Sequence, residues 1–422
     1  MNNVTTHKKL LVPQLRFKEF DGEWNKKAIN SFASKLKVGF VGTCEPYYTD
    51  KVDGVLLVRT GNLKGVNIEL DEEKYVTKEF HTKNLKSQIK PNDLLLARHG
   101  GNGEICRVPF DFPIANCLNI VILRTNSAVD TAYFQMVYST FLVQSQIAAV
   151  TAGSTQVVIN TKEIGKLKVC FPNLPEQQKI ATFLTAVDQK IQQLSSKKEQ
   201  LEKYKKGAMQ QLFSQELRFK DDDGNDFADW EESGLGKYID LFSGYAFKGE
   251  DITDDEKGIP LLRGINITEG YIRHNKEIDR FFKNEIKNID KLRVQIDDLV
   301  LSMDGSKVGK NSALVTKFDE GALLVQRVAR IRSLATSDIQ FIYQHIRSSQ
   351  FIRYVDMVNT SSGIPHISSK QIKDFKIKFP CVEEQQKIAA YLSSLDAKIE
   401  KVGTQIKNTQ EFKKGLLQQL FV

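Results

Sequence analysis

From Ile180 the chain places apolar residues four and three positions apart: Ile180, Leu184, Val187, Ile191 and Leu194, then Leu201, Ala208 and Leu212. This is the spacing of a helix that buries one narrow seam, as in a coiled coil. Lys198 occupies one core-phase position and weakens the seam locally. The same phase returns at Ile388, Leu392, Leu395, Ile399, Val402, Ile406, Leu416 and Leu420. The remaining faces are rich in Lys, Gln and Glu, so the seam is the face that needs a partner. Each helix could run for roughly 38 residues, or about 57 Å, longer than a small domain is wide. Pro175 suits a first helical turn, and Glu176, Glu383 and Glu384 suit the positive end of the helix dipole. Two helices with one seam each most simply pack on one another; the alternative is a core helix of a larger domain.

The two helical stretches are copies. Phe171-Pro172 followed by Glu176-Gln177-Gln178-Lys179-Ile180-Ala181 returns as Phe379-Pro380 followed by Glu384-Gln385-Gln386-Lys387-Ile388-Ala389, 208 residues later. The offset holds without a gap to Phe213 and Phe421, with 19 identities over 43 positions. A duplicated unit in one chain gives a pseudo-two-fold object, suited to a target with two half-sites or to two copies of one partner.

The stretches before the helices also correspond. Leu15-Arg16-Phe17-Lys18 with Trp24 is echoed by Leu217-Arg218-Phe219-Lys220 with Trp230. Arg59 and Asn62 match Arg263 and Asn266, and Asp93-Leu94-Leu95-Leu96-Ala97 matches Asp298-Leu299-Val300-Leu301-Ser302. Short β-branched runs at 55–58, 120–123, 322–325 and 328–331, set between Gly, Asn and Asp turns, predict sheet. The stretches 131–148 and 337–355 look helical, with Tyr133, Val137 and Phe141, then Phe341, His345 and Phe351, near helical spacing. The fold class is α+β: two similar mixed domains, each with its own core, and two long helices.

Composition changes this picture little. A hydrophobic fraction of 41% and a charged fraction of 27% are those of a soluble globular protein. The net charge of +8, from 60 basic and 52 acidic residues, favours an anionic partner through local basic patches. No apolar run approaches the roughly 20 residues of a membrane helix. The five cysteines show no CxxC spacing and follow no signal peptide; they read as free thiols in a reducing cytoplasm.

Catalytic signals are missing. No GxGxxG follows a strand, and no HExxH occurs. Gly305-Ser306-Lys307-Val308-Gly309-Lys310-Asn311 is similar to a P-loop but one residue short, with Asn311 where a magnesium-holding Ser or Thr would stand. The six histidines are scattered, and no metal site is expected. No Pro-Pro pair supports an amino-methyltransferase loop, and no nuclease arrangement of Asp, Glu and Lys is evident.

Binding signals are better. The turn after Leu96-Ala97 carries Arg98, His99 and Asn102 among glycines, and its counterpart carries Ser306, Lys307 and Lys310. Glycine allows close backbone approach, Arg and Asn have the fork geometry for guanine and adenine edges, and Lys and Ser suit phosphate. An ordinary polar hairpin would look alike. A second pair of polar loops carries Ser154, Thr155 and Gln156, and Ser361, Ser362 and His366. Gln326-Arg327, and the Arg59/Asn62 and Arg263/Asn266 pairs, complete the candidate DNA contacts.

Read together, the doubled Phe-Pro, Glu-Gln-Gln-Lys-Ile-Ala, Leu184 with Asp188 and Lys190-Ile191, and Lys205-Lys206-Gly207 with Gln210-Gln211-Leu212-Phe213 resemble the DNA-specificity subunit of Type I restriction–modification systems. The resemblance covers nearly the whole chain. It implies target-recognition domains over 15–173 and 215–380, with antiparallel spacer helices over 174–214 and 381–422. Each domain would read one half of a split, asymmetric site in double-stranded DNA. It further implies a non-catalytic subunit that docks two methyltransferase subunits, which use S-adenosylmethionine, and restriction subunits that cleave with ATP and magnesium. No cofactor is expected on this chain. The rivals are a self-contained nuclease or methyltransferase with an unrecognised site, and a scaffold or repressor that binds DNA without partners.

Overall fold

A computed structural model describes residues 11–97, 105–151, 160–283, 290–359 and 365–422. The chain divides into two compact units. Unit one comprises residues up to Ser195 together with Thr404–Val422, and unit two is Ser196–Gly403.

Unit one holds a four-stranded antiparallel sheet in the order Ile105–Arg107, Leu94–Ala97, Ile120–Thr125, Ala33–Val38. A second, five-stranded sheet is mixed: Ala115–Leu118 runs parallel to Gly54–Arg59, and the other pairings are antiparallel. Leu94–Ala97 is apolar throughout because both its faces are covered. Leu94 and Leu96 join the core that contains the helices, while Leu95 and Ala97 join the core on the other face. A continuous apolar run is what two-sided burial demands.

Unit two repeats this plan. Its first sheet runs Ile239–Ser243, Val328–Ser333, Leu299–Ser302, Ser312–Leu314. In its second sheet Leu323–Leu324 runs parallel to Ile259–Leu262. Leu299 and Leu301 face one core and Val300 the other. Each unit also has a two-stranded ribbon leading into its helix, Asn25–Ala28 with Lys168–Phe171 and Glu231–Gly234 with Lys376–Phe379.

The repeated motifs are clamps. Buried Asp93 takes a bidentate ion pair from Arg124 at 2.6 and 2.8 Å and caps Lys90 N–H at 2.8 Å. Asp298 does the same with Arg332 and with Gln295 N–H. Glu176 and Glu384 are fully buried at the starts of the long helices and pair with Arg16 and Arg218, the arginines of the repeated Leu-Arg-Phe-Lys. Gln177 accepts Asp130 N–H and donates to Pro172 O; Gln385 accepts Asp338 N–H and donates to Pro380 O. The Gln thus ties each long helix to the cap of a shorter helix in the same unit, and the Glu ties it to the Leu-Arg-Phe-Lys segment.

The stretches predicted as helical are helical, each as two helices. Thr131–Tyr138 is followed by Phe141–Thr151, and Ile339–Ile346 by Ser349–Val358. The break comes from hydroxyl residues that compete for the backbone: Thr140 Oγ1 donates to Val137 O at 2.6 Å, and Ser348 caps the next helix by accepting Phe351 N–H at 3.2 Å.

The long helices are Leu174–Ser214 and Val382–Gln419, and each contributes to both units. In unit one, Leu416, Leu420 and Phe421 share a core with Ile180 and Leu184, and Lys413 pairs with Asp188 at 2.5 Å. In unit two, Leu212 shares a core with Ile388, Leu392 and Leu395. There Tyr204 Oη meets Tyr391 Oη at 2.8 Å, Lys205 bonds both Asp396 oxygens at 2.7 Å, and Gly403 lies beside Lys198. The partner numbers run in opposite senses, so the packing is antiparallel. Leu194 and Val402 are buried, whereas Val187, Ile191 and Ile399 are only half-buried. Lys205 sits in core phase; burial and the nearby charge of Arg347 lower its pKa, with Asp396 opposing. Burial also pushes His345, stacked on Phe213 at 3.7 Å, down to about 3, so it is neutral.

Candidate nucleic-acid interface

In unit two the glycine turn stands on the edge of the sheet. Gly305 and Gly309 have φ of 90° and 75°, a region that glycine enters without steric cost. A Cβ at Gly309 would lie 2.7 Å from Val355 Cγ2, so this glycine also permits close packing on the helix Ser349–Val358. The turn is pinned from two sides. Gly305 N–H donates to Pro365 O at 3.0 Å, and Ile367 N–H to Met303 O at 2.8 Å. Met303 N–H donates to Arg327 O at 2.9 Å, and Asp304 bridges to His366. Three candidates that are distant in sequence therefore converge: the Ser306–Lys310 turn, His366 and the Gln326–Arg327 turn.

Ser306, Lys307, Lys310, Gln326 and Arg327 are exposed, and His366 is half-buried. Lys307 pairs with Glu269 at 3.1 Å, but both side chains are more than half exposed, so the pair contributes little and is easily exchanged for a phosphate. Gln326-Arg327 lies in a turn between strands rather than within one. An open depression beside the turn is lined by Arg263, Ile265, Ser302, Asp304, Ser306, Lys307 and Asn311.

In the Arg/Asn pairs the two asparagines turn inward and the two arginines stay partly exposed. Asn62 and Asn266 are buried, and their side chains fold back on their own loops. Asn62 accepts Arg59 N–H at 2.9 Å and donates to Glu69 O at 2.9 Å. Asn266 accepts Arg263 N–H at 3.2 Å and donates to Arg273 O and Asp279. Arg59 donates to Glu72 O, and Arg263 to Ile278 O. Burial and the neighbouring Arg280 lower the pKa of Arg263, with Asp279 opposing. These four residues shape loops, and Arg263 alone among them lines the depression. Arg98, His99, Asn102, Ser154, Thr155, Gln156, Ser361 and Ser362 lie outside the described residues.

Tyr245, which the sequence did not single out, is 56% exposed, and its carbonyl accepts Gln326 N–H at 2.8 Å. The signal was the glycine before it. A Cβ at Gly244 would lie 2.1 Å from Val325 O, and one at Gly39, before Phe40, 2.4 Å from Cys117 Sγ. Both units thus carry a Gly-aromatic pair where the backbone crosses the neighbouring strand. Among the described residues no group of three His, Cys, Asp or Glu side chains could hold a metal, and no helix is long and apolar enough to cross a membrane.

The family model described as the Type I restriction modification DNA specificity domain matches twice, over residues 24–203 and 228–409. The MjaVIII specificity subunit of a Type I restriction enzyme from Methanocaldococcus jannaschii is 28% identical over 321 residues, 74% of either chain. The putative MjaX specificity subunit from the same organism is 23% identical, covering 90% of this chain and 89% of the relative. The crystal structure of the S subunit of a Type I restriction–modification system from M. genitalium superposes with a TM-score of 0.62 at 17% identity, covering 97% of this chain and 99% of that one. With two matches that together span most of its length, this chain belongs to the family of Type I restriction–modification DNA specificity domains.

Proposed function

We propose that the chain is the sequence-specific DNA-binding subunit of a Type I restriction–modification complex and that it carries no catalytic site of its own. The observation that carries this reading is the double match to the specificity-domain family, one match per unit. The units share their clamps (Asp93 and Asp298, Glu176 and Glu384, Gln177 and Gln385), but the amino-acid sequences of their glycine turns differ. A shared framework with different tips suits two readers of unlike half-sites, hence a bipartite, asymmetric target.

Its partners are DNA and the methyltransferase and restriction subunits. The duplicated helix supports two methyltransferase copies, one per repeat. S-adenosylmethionine, ATP and magnesium then belong to those subunits and not to this chain. The matching family is one of specificity domains, which gives the self-contained enzyme no support.

The test is a map of methylated adenines in the host genome with and without this gene. Deletion should abolish methylation at one motif made of two unequal halves around a fixed gap. Methylation unchanged at every motif would overturn the proposal.

A further inference from the structure

Among the described residues, five non-glycine positions have positive φ: Asn92, Asn119, Gln215, Asp297 and Arg327. Three are Asn or Asp, which tolerate this region through local hydrogen bonding. Gln215 follows the first long helix, where a left-handed residue commonly ends a helix. Arg327, at φ 70°, is a long side chain held in a conformation that disfavours it. In unit one the residue immediately before the corresponding strand is Asn119, at φ 56°. Asparagine therefore serves at this position, and unit two carries arginine there instead.

The surroundings fix the backbone and leave the side chain available. Gln326 N–H donates to Tyr245 O, Met303 N–H to Arg327 O, and Val328 N–H to Val325 O. The Arg327 side chain is 56% exposed, and its ion pair is with Asp304, Nε to Oδ2 at 3.9 Å, too long for a hydrogen bond. Gln326 and Tyr245, joined to this turn through the Gln326 N–H to Tyr245 O bond, are exposed, and the glycine turn pinned to it by Met303 N–H carries exposed Lys307 and Lys310. Exposed lysines, which suit phosphate, thus stand on the turn pinned to an arginine for which the structure shows no side-chain hydrogen bond. Strain of this kind, imposed by several independent bonds, marks a residue kept for what it touches.

We infer that Arg327 is a specificity-determining residue of unit two, reading the O6 and N7 edge of a guanine in double-stranded DNA. The inference rests on the DNA-binding function proposed above. The bidentate match of guanidinium to guanine is what makes that base the target.

The experiment uses the full chain assembled with its methyltransferase partner. Binding is measured to the cognate duplex and to every single-base variant of the second half-site, at two salt concentrations. Arg327→Asn replaces the residue by the one that unit one tolerates at this position, so its melting temperature should stay equal or rise. Its affinity for the cognate duplex should fall about tenfold to a hundredfold, and discrimination at one G·C pair should disappear. Lys310→Ala is the contrast: it should weaken all duplexes alike and flatten the salt dependence, as a phosphate contact does. Discrimination retained at every position in Arg327→Asn, or a uniform loss like that of Lys310→Ala, would overturn the inference while leaving the DNA-binding function standing. A wild-type complex with no sequence preference would overturn both.

Discussion

Leu392→Asp should be the most damaging single change in the seam of the long helices. Leu392 is fully buried in the core that also holds Leu212, Ile388 and Leu395. Losing a buried leucine costs roughly 2–5 kcal/mol through lost burial and the cavity left behind, and an unpaired carboxylate in that space adds to it. Ile399→Asp, two helical turns on and half-buried, can turn its carboxylate toward water and should cost less than half as much. Urea unfolding of the full chain, followed by circular dichroism, compares the two. Equal losses, or a larger loss at Ile399, would mean that the seam does not run where the packing places it.

Glu384→Ala should come second. Its carboxylate is fully buried and accepts from Arg218 Nε at 3.2 Å and Nη2 at 2.8 Å, and from Trp230 Nε1 at 2.9 Å. Removing it leaves a guanidinium and an indole N–H without their acceptor. Breaking a buried pair in this way costs about 3 kcal/mol. For a unit of this size that is a fall of roughly 6–12 °C in melting temperature. Arg218 retains bonds to Phe227 O and Ala228 O and is partly exposed, which keeps the loss at the low end of the range for buried pairs. Differential scanning calorimetry reads the effect. An unchanged transition in Glu384→Ala would show that the clamp is not stabilising.

Much of the fold was legible because burial writes a period into the chain. The seam at Ile180, Leu184 and Leu194 and its copy at Ile388, Leu392 and Leu395 could be read directly, since a helix with one apolar stripe has few alternatives. The two-helix breaks at Thr140 and Ser348 were not legible, because a hydroxyl that stops a helix and one that rides along it look the same in sequence. The repeated Glu-Gln and Asp-Leu motifs could be recognised as repeats, but their work as buried clamps depends on contacts 30 to 170 residues away.

The site was legible only in part. Ser306, Lys307 and Lys310 are exposed on a glycine turn, as their residue types imply. Asn62 and Asn266 carry the same polar chemistry as a base-reading residue, yet burial turns it inward. Sequence gives a polar side chain no direction. The convergence of His366 and Arg327 on the glycine turn required long-range pairing that no local pattern encodes, and the left-handed backbone at Arg327 runs against what its residue type predicts.

Each unit should read its own half of a split DNA site. Replacing residues 15–165 by the equivalent segment of another specificity subunit, then mapping the methylated motif, tests it most directly. The expected result is a new motif in which one half changes and the other half stays as it was. A motif altered in both halves would contradict it.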